Sequence, residues 1–317
     1  MIRLRAVAAL LMVAAAPLPQ WPFPGPGYAN PPGHPDAAKI IRLAGSNVVF
    51  HETDFRGMSR AVDWFPASHP PAPDVVLRQR GDVYPCGYCH LPDGQGRPEN
   101  ARLQGLPADY IIEQVTAFSS GVRRSAAADY IPAQFMAMEA HALSAGDLQK
   151  AAAYFSQFEP ASTTQVVEAT YIPQAAAWNF VYRFDPSRRE ALGYRIVEGP
   201  VDPGRFELRD PGTAYIAYVP VGAIARGQAI AEKGVPGGPA CESCHGKALA
   251  GIAGASPSFV ARQLMGFRAK TRNDAGAAPM QEVAAGLNDA QIVDVAAYVG
   301  SRPAWTRAEL AAAMSAK

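Results

Sequence analysis

Two short cysteine motifs carry the clearest chemistry in this sequence. Each has two cysteines separated by two residues and followed directly by a histidine, and together they use all four cysteines of the chain. Two thiols at this spacing can each bond a vinyl-derived carbon of one porphyrin, and the next histidine can reach its iron. The motifs therefore predict two covalently attached haem c groups. The predicted attachment residues are Cys86, Cys89, Cys241 and Cys244, and the predicted proximal iron ligands are His90 and His245.

Two other uses of the cysteines explain less of the pattern. A thioredoxin-like redox pair is expected after a strand in a βαβ pattern, which neither motif follows. A zinc site formed by all four cysteines would leave both histidines without a role. Covalent haem accounts for every cysteine and histidine of both motifs.

The motifs begin an internal repeat. The same kinds of residue follow both motifs at identical internal offsets: Tyr110, Gln114, Phe118 and Arg123 in the first half, and Phe259, Gln263, Phe267 and Arg272 in the second. Apolar residues at helical spacing predict a helix packed on each haem, over Tyr110–Phe118 and Phe259–Phe267. The repeated glutamines and arginines have two interpretations, as solvated helix residues or as contacts to haem propionates or haem edges.

One methionine in each half precedes the last predicted helix. Met136 and Met280 each stand seven residues before a leucine, and a capping-box sequence then predicts a terminal helix. Each methionine is therefore expected on a loop, where its thioether can reach the distal face of iron. The repeat selects Met136 and Met280 as axial ligands, while Met138 and His141 remain alternatives at the first haem.

The parts of the chain outside the repeat have weaker signals. An apolar run bounded by arginines and small residues predicts a secretory signal peptide, with an uncleaved membrane anchor as the weaker alternative. Eight prolines within residues 17–36 predict an extended, poorly ordered leader. Residues 48–69 read as extended chain covering the first haem domain, and the upstream histidines His34, His51 and His69 are interpreted as loop residues.

Short β-branched and aromatic runs predict a small β-rich insertion between the two halves. The expected strands are Val166–Ile172, Tyr194–Val197, Phe206–Leu208 and Tyr215–Val219. The insertion is interpreted either as a spacer packed between the haem domains or as a docking surface for a redox partner. The full organisation is then signal peptide 1–16, leader and extended segment 17–77, cytochrome domain 78–160, insertion 161–222, cytochrome domain 223–305 and C-terminal tail 306–317.

Several of these residues together resemble the bacterial dihaem c-four-type (class I) cytochrome c family. The resemblance is carried by Pro107 through Arg123, Ser256–Phe259, Arg262–Leu264, Met280 and the helix from Leu287 to Tyr298. It implies a mainly α fold with two small cytochrome domains, each with one His/Met haem, acting in periplasmic electron transfer. A long insertion stands here where that family has a short linker, and this argues against close packing of the two domains.

The family also has a proline whose carbonyl accepts the Nδ1 proton of the proximal histidine. This sequence has Ala101 and Ala250 at the aligned positions, and any backbone carbonyl can accept that bond.

The expected function is the relay of single electrons, because a six-coordinate His/Met haem has no position open to a substrate. The expected partners are a donor, such as a periplasmic dehydrogenase or membrane respiratory complex, and a downstream acceptor such as an oxidase. A net charge of +1 excludes a basic field for nucleic acid, and no small-molecule substrate is expected. The alternative is a peroxidase-like dihaem enzyme with an open distal site at the first haem.

Overall fold

The computed structural model describes residues 17–27 and 36–315. The predicted signal peptide and His34 lie outside the described residues. Helices hold 38% of the chain and strands 16%, so the fold is mainly α with added sheets. Within the described ranges, no helix combines the length and the apolar character needed to cross a bilayer.

The segment before the first motif folds onto the first repeat. Its elements are β1 (Ile40–Arg42), β2 (Val49–His51), α1 (Glu52–Arg56) and α2 (Asp74–Leu77), with β1 antiparallel to β2. Phe50 and Trp64 are fully buried and their rings meet edge to face at 4.9 Å. The hydroxyl of Tyr88, inside the first motif, donates to the carbonyl of Phe55 at 2.7 Å. The segment therefore packs against the first motif, and it includes the short helix α1 where extended chain is expected.

Residues 17–27 correct the prediction of a poorly ordered leader. Phe23 is buried in the core of the second repeat, with its ring 5.4 Å from that of Tyr130. The guanidinium of Arg262 donates to the carbonyl of Pro22 at 2.8 Å. The proline count alone predicts no packing. Two large apolar side chains, Trp21 and Phe23, nevertheless bury enough surface to fix the extended chain in place.

From the motif helix onward, the two repeats have the same helical order. The first contains α3 (Cys86–His90), α4 (Ala108–Ser119), α5 (Ile131–Ala142) and α6 (Ala145–Phe155). After the insertion, the second contains α8 (Ala223–Lys233), α9 (Glu242–His245), α10 (Pro257–Arg268), α11 (Ala278–Ala285) and α12 (Asp289–Ser301). Ser144 and Asn288 cap α6 and α12 through their side chains, as the capping-box sequences predict. The expected helices beside each haem correspond to α4 and α10.

Met136 and Met280 lie in helices, not on loops as predicted. Met136 is within α5 and Met280 within α11, and each of these helices has a proline in its first turn. Proline is favourable at that position, and no helix breaker follows it inside either helix. The loop prediction missed these helices because it rested on the capping residues that come after them.

The insertion contains a three-stranded sheet and a hairpin. Its elements are β3 (Thr164–Glu168), β4 (Tyr171–Trp178), β5 (Val181–Ala191), β6 (Val197–Pro200), α7 (Pro203–Glu207) and β7 (Tyr215–Val219). Strand β7 pairs in parallel with β3 and antiparallel with β6, while β4 and β5 form the hairpin.

Three of the strand predictions need correction. The run Val166–Ile172 is divided between β3 and β4, the run Tyr194–Val197 reaches β6 at its last residue alone, and Phe206 lies in α7. Asp202 starts that helix by accepting bonds from two backbone amides, with Pro203 in the first turn. The expected strand Tyr215–Val219 is confirmed as β7.

The insertion does not separate the two repeats. Arg123 and Arg272 form an antiparallel β-bridge, flanked by a bond from the Arg124 amide to the Thr271 carbonyl at 2.7 Å. The repeats therefore touch directly, which corrects the expectation drawn from the insertion's length. The insertion packs along one side instead, where Glu198 accepts from the Ser256 hydroxyl at 2.7 Å.

A C-terminal helix, α13 (Arg307–Ser315), occupies the predicted tail. It is tied to the first repeat by a bond from the Arg307 amide to a Glu159 carboxylate oxygen at 3.1 Å. Leu310 packs against the core of the second repeat.

Candidate haem sites

The first motif is held by a short helix in enclosed surroundings. Pro85 precedes α3, and Leu91 ends it with a left-handed φ of 64°. The Nδ1 atom of His90 lies 2.8 Å from the carbonyl oxygen of Ala101. Because a carbonyl can act here as acceptor alone, Nδ1 carries the proton and Nε2 has its lone pair available for a metal. Burial lowers the pKa of His90, which favours this neutral form.

The second motif has the same histidine arrangement on a more open surface. The Nδ1 atom of His245 lies 3.3 Å from the carbonyl oxygen of Ala250. Cys244 is exposed, whereas both cysteines of the first motif are partly covered. In both halves the carbonyl of an alanine, Ala101 or Ala250, therefore faces Nδ1 of the motif histidine.

Three of the four thiols, those of Cys86, Cys89 and Cys241, have surroundings that disfavour a redox pair. Burial raises the pKa of Cys86 to about 12, and it also raises the pKa of Cys89 and of Cys241. A reactive C-x-x-C pair has the opposite property, since its nucleophilic thiol has a lowered pKa. These cysteines therefore suit a permanent covalent bond better than reversible thiol exchange.

A cavity of about 2170 Å³ connects both motifs. Both cysteine pairs, both proximal histidines, Met136 and Met280 all line its wall. Ordinary small-molecule pockets measure ~300–1,000 Å³, so this volume suits two large groups. Met138 is 51% exposed and His141 is also exposed, and neither belongs to the described cavity wall.

The repeated glutamines and arginines meet where the two repeats touch. Gln114, Arg123 and Arg272 are buried, and Gln263 is partly buried. All four line the cavity. Their interpretation as solvated helix residues is therefore wrong. Asp274 joins them by accepting from the Gln114 amide at 3.1 Å.

The cavity wall carries more buried cations than buried anions. Among the described residues, Arg97, Arg123, Arg262 and Arg272 are at least nine-tenths buried on this wall, whereas the buried acidic groups there are Asp274 and Glu99, and Glu99 pairs with Arg97. Arg262 donates to the backbone carbonyls of Pro22 and Pro98. Burial and the neighbouring Arg272 lower the pKa of Arg123 to about 9. Buried cations require compensation, and the propionates of two haems would provide it.

An unsatisfied phenol faces the same space. Tyr130 lines the cavity, and its buried hydroxyl has no hydrogen-bond partner among the described residues. Arg262 stacks on its ring at 5.2 Å. A buried hydroxyl without a partner is rare in proteins, and an acidic group of a bound haem would satisfy it. The thiols, the histidines, the cavity volume and the excess of cations all fit two covalent haems.

Sequence reasoning missed Tyr130, Asp274 and the packing role of Arg262. Tyr130 and Asp274 lie outside the repeated positions, so the alignment of the two halves gave no signal for them. Arg262 was noted for its resemblance to the c-four type, but sequence could not show that it is buried without a carboxylate.

Comparison with curated proteins gives two relatives, and no protein-family model matches the chain. The thiosulfate dehydrogenase electron acceptor of Thiomonas intermedia is 25% identical over 227 residues, covering 69% of this chain and 78% of that protein. Cytochrome c4 of Pseudomonas aeruginosa is 38% identical over 86 residues, covering 24% of this chain and 41% of that protein. The chain resembles the c4-type cytochromes. Both relatives are electron-transfer proteins by name.

Solved structures of the same kinds of protein are also similar. Thiosulfate dehydrogenase from Marichromatium purpuratum has a TM-score of 0.47 and 24% identity, covering 70% of this chain and 37% of that one. Cytochrome c4 from Acidithiobacillus ferrooxidans has a TM-score of 0.45 and 23% identity, covering 68% of this chain and 98% of that one.

Proposed function

We propose that this protein is a periplasmic dihaem c-type cytochrome that relays single electrons between redox proteins. One observation carries the proposal: two complete haem-attachment motifs open onto one cavity, and a methionine from the same position of each repeat lines it. The proposed domains are 78–160 and 223–305, with residues 161–222 packed along their side.

In this proposal the chain's own residues attach, orient and enclose the cofactors. Each cysteine pair would attach one haem through two thioether bonds, and each histidine is held in one tautomer by its alanine carbonyl. Met136 and Met280 line the same cavity and would hold the iron through their thioethers, which would keep a substrate from the metal. When bound, haem c supplies reversible one-electron chemistry between Fe(III) and Fe(II).

The charged wall has a separate role. Arg123, Arg262 and Arg272 are buried side chains on the cavity wall and would offset the haem carboxylates there. Fixed cations in such buried positions act strongly on the charge of the iron, because water screens them less. They favour the reduced form, which carries one positive charge less.

The donor is proposed to be a dehydrogenase. The relative from Thiomonas intermedia is named for accepting electrons from thiosulfate dehydrogenase, so this enzyme class is the first to test. A net charge of +1 provides little long-range steering. We therefore propose recognition by close surface contact, as in a standing complex with the donor.

The experiment uses the oxidised, matured protein with purified thiosulfate dehydrogenase and thiosulfate under anaerobic conditions. Stopped-flow absorbance is expected to show reduction of both haems, two electrons per chain, with none when either the enzyme or thiosulfate is omitted. Failure of this donor and of other dehydrogenases to reduce the protein would contradict the proposal. Rapid turnover of hydrogen peroxide would favour the enzymatic alternative.

A further inference from the structure

Four side chains form a closed ring of hydrogen bonds across the contact between the repeats. Arg123 donates to Gln114 at 2.6 Å and to Gln263 at 3.0 Å. Arg272 donates to Gln263 at 3.2 Å and to Gln114 at 2.8 Å. Each guanidinium therefore binds one glutamine of its own half and one of the other half. We call these four residues the cross-repeat ring.

The ring is unusual because it brings two cations together at a buried contact. Both arginines share the same two acceptor oxygens, which holds like charges close to each other. A single carboxylate, Asp274, lies beside them, with an oxygen 3.9 Å from the Nε atom of Arg272. Apolar residues would stabilise such a contact at least as well. Packing alone therefore does not account for the choice of arginine at both positions.

Two further features connect the ring to the haem sites. All its members line the cavity that contains both motifs. The ring also lies at the β-bridge between Arg123 and Arg272, so its geometry and the relative position of the two repeats depend on each other. A cation in the ring therefore lies on the wall that both sites share and at the contact that fixes their relative position.

We propose that Arg123 and Arg272 are positioning residues shared by the two haem sites. They hold the two sites in one fixed relation and raise the reduction potentials of both haems together. This inference rests on the proposed function and adds to it a reason for the arrangement of two repeats around one cavity. A residue that served its own half alone would influence one haem; a shared residue influences two.

The test is a spectroelectrochemical titration of the full-length, matured protein carrying Arg123→Gln or Arg272→Gln. Each variant is expected to lower the potentials of both haems, by about a tenfold change in the ratio of reduced to oxidised iron, which is 59 mV for one electron. The matched controls are Lys150→Gln in the first half and Lys270→Gln beside Arg272, which remove exposed charges from residues outside the described cavity wall. The controls are expected to change either potential by less than a third of that amount.

Two further variants keep the test decisive if an arginine variant fails to mature. Gln263→Glu preserves the shape of the side chain and its acceptor oxygens but adds a negative charge, so it should also lower both potentials. Arg123→Lys retains the charge and should leave both potentials near those of the unmodified protein. An equal drop in the reduction potentials of Arg123→Lys and Arg123→Gln would overturn the electrostatic part of the proposal.

The remaining outcomes also decide the question. A shift confined to the haem of the mutated half would overturn the shared role and leave two independent local contacts. An absence of any shift beyond the controls would leave a purely structural contact. Failure of the proposed function is distinguishable, because it would appear in the unmodified protein as missing haem or missing methionine coordination.

Discussion

The two repeats place the same motif in different surroundings. In the first, Tyr88 is buried between the cysteines, its hydroxyl bonds to Phe55 of the upstream segment, and its ring lies 3.6 Å from the guanidinium carbon of Arg209 from the insertion. Ser243 holds the same position in the second repeat and is exposed, as is Cys244. The repeated residues thus define the chemistry of each site, and the segments outside the repeat decide how open it is.

The two repeats also differ in how complete their helical packing is. The second repeat has a long helix, α8, that crosses α12 at Gly227, where an added Cβ would lie 2.0 Å from the Asp294 carbonyl oxygen. The first repeat has the four-residue α2 in front of its motif and relies on Phe50, Trp64 and their neighbours for further packing. The second repeat is therefore more complete by itself, and the first depends on added segments.

The largest effect is expected from removing one pair of cysteines. Cys86→Ala with Cys89→Ala, and Cys241→Ala with Cys244→Ala, should each leave one covalent haem per chain by intact mass. The first pair should lower the melting temperature more, because the upstream segment and the insertion both contribute to the surroundings of that site. Equal melting temperatures for the two variants would contradict the claim that the first repeat depends more on the added segments.

The next effect concerns the distal ligands. Met136→Ala and Met280→Ala should each remove half of the weak far-red absorption that accompanies methionine bound to Fe(III), and should lower one potential. Met138→Ala is the matched control, since Met138 is exposed and does not line the cavity wall. Loss of the band in the control, with no loss in Met136→Ala, would reassign the ligand of the first haem.

A smaller effect is expected at the helix crossing of the second repeat. Gly227→Ala would bring a methyl group against backbone and should cost about 1–3 kcal/mol in the free energy of unfolding. Gly146→Ala in α6 is the control, because nothing lies within 4 Å of an added Cβ there, and it should stabilise by ~0.5–1 kcal/mol. Denaturant titration measures both. A neutral Gly227→Ala would mean that α8 and α12 are not in close contact.

The smallest effect is a pH dependence at the first repeat. A bond to Asp63 at 3.2 Å raises the pKa of His69 above its usual 6.5. A raised pKa in the folded state means that this pair stabilises the fold fully below pH 6.5 and loses its contribution as pH rises through the folded value. The loss should be about 1 kcal/mol or less. Unfolding at several pH values should show this slope, and His69→Gln should flatten it.

Sequence predicted the local features of this molecule and missed those that depend on tertiary contact. The haem motifs, α4, α10 and the caps at Ser144 and Asn288 follow from spacing within a few residues. The packing of Phe23 against Tyr130 does not, because the two residues are distant in the chain.

The same limit applies to the candidate site. Repetition singled out Gln114, Arg123, Gln263 and Arg272, but their spacing is equally compatible with exposed helix faces. Their shared ring requires the two repeats to meet, and the length of the insertion suggested that they would not.

The central claim, two closed His/Met haems in one cavity, is tested most directly by absorption spectroscopy of the matured protein. The oxidised form should show low-spin haem with the far-red methionine band at two haems per chain, and the reduced form should not bind carbon monoxide. A high-spin haem, or ready binding of carbon monoxide at either site, would contradict the claim and favour an open, enzymatic centre.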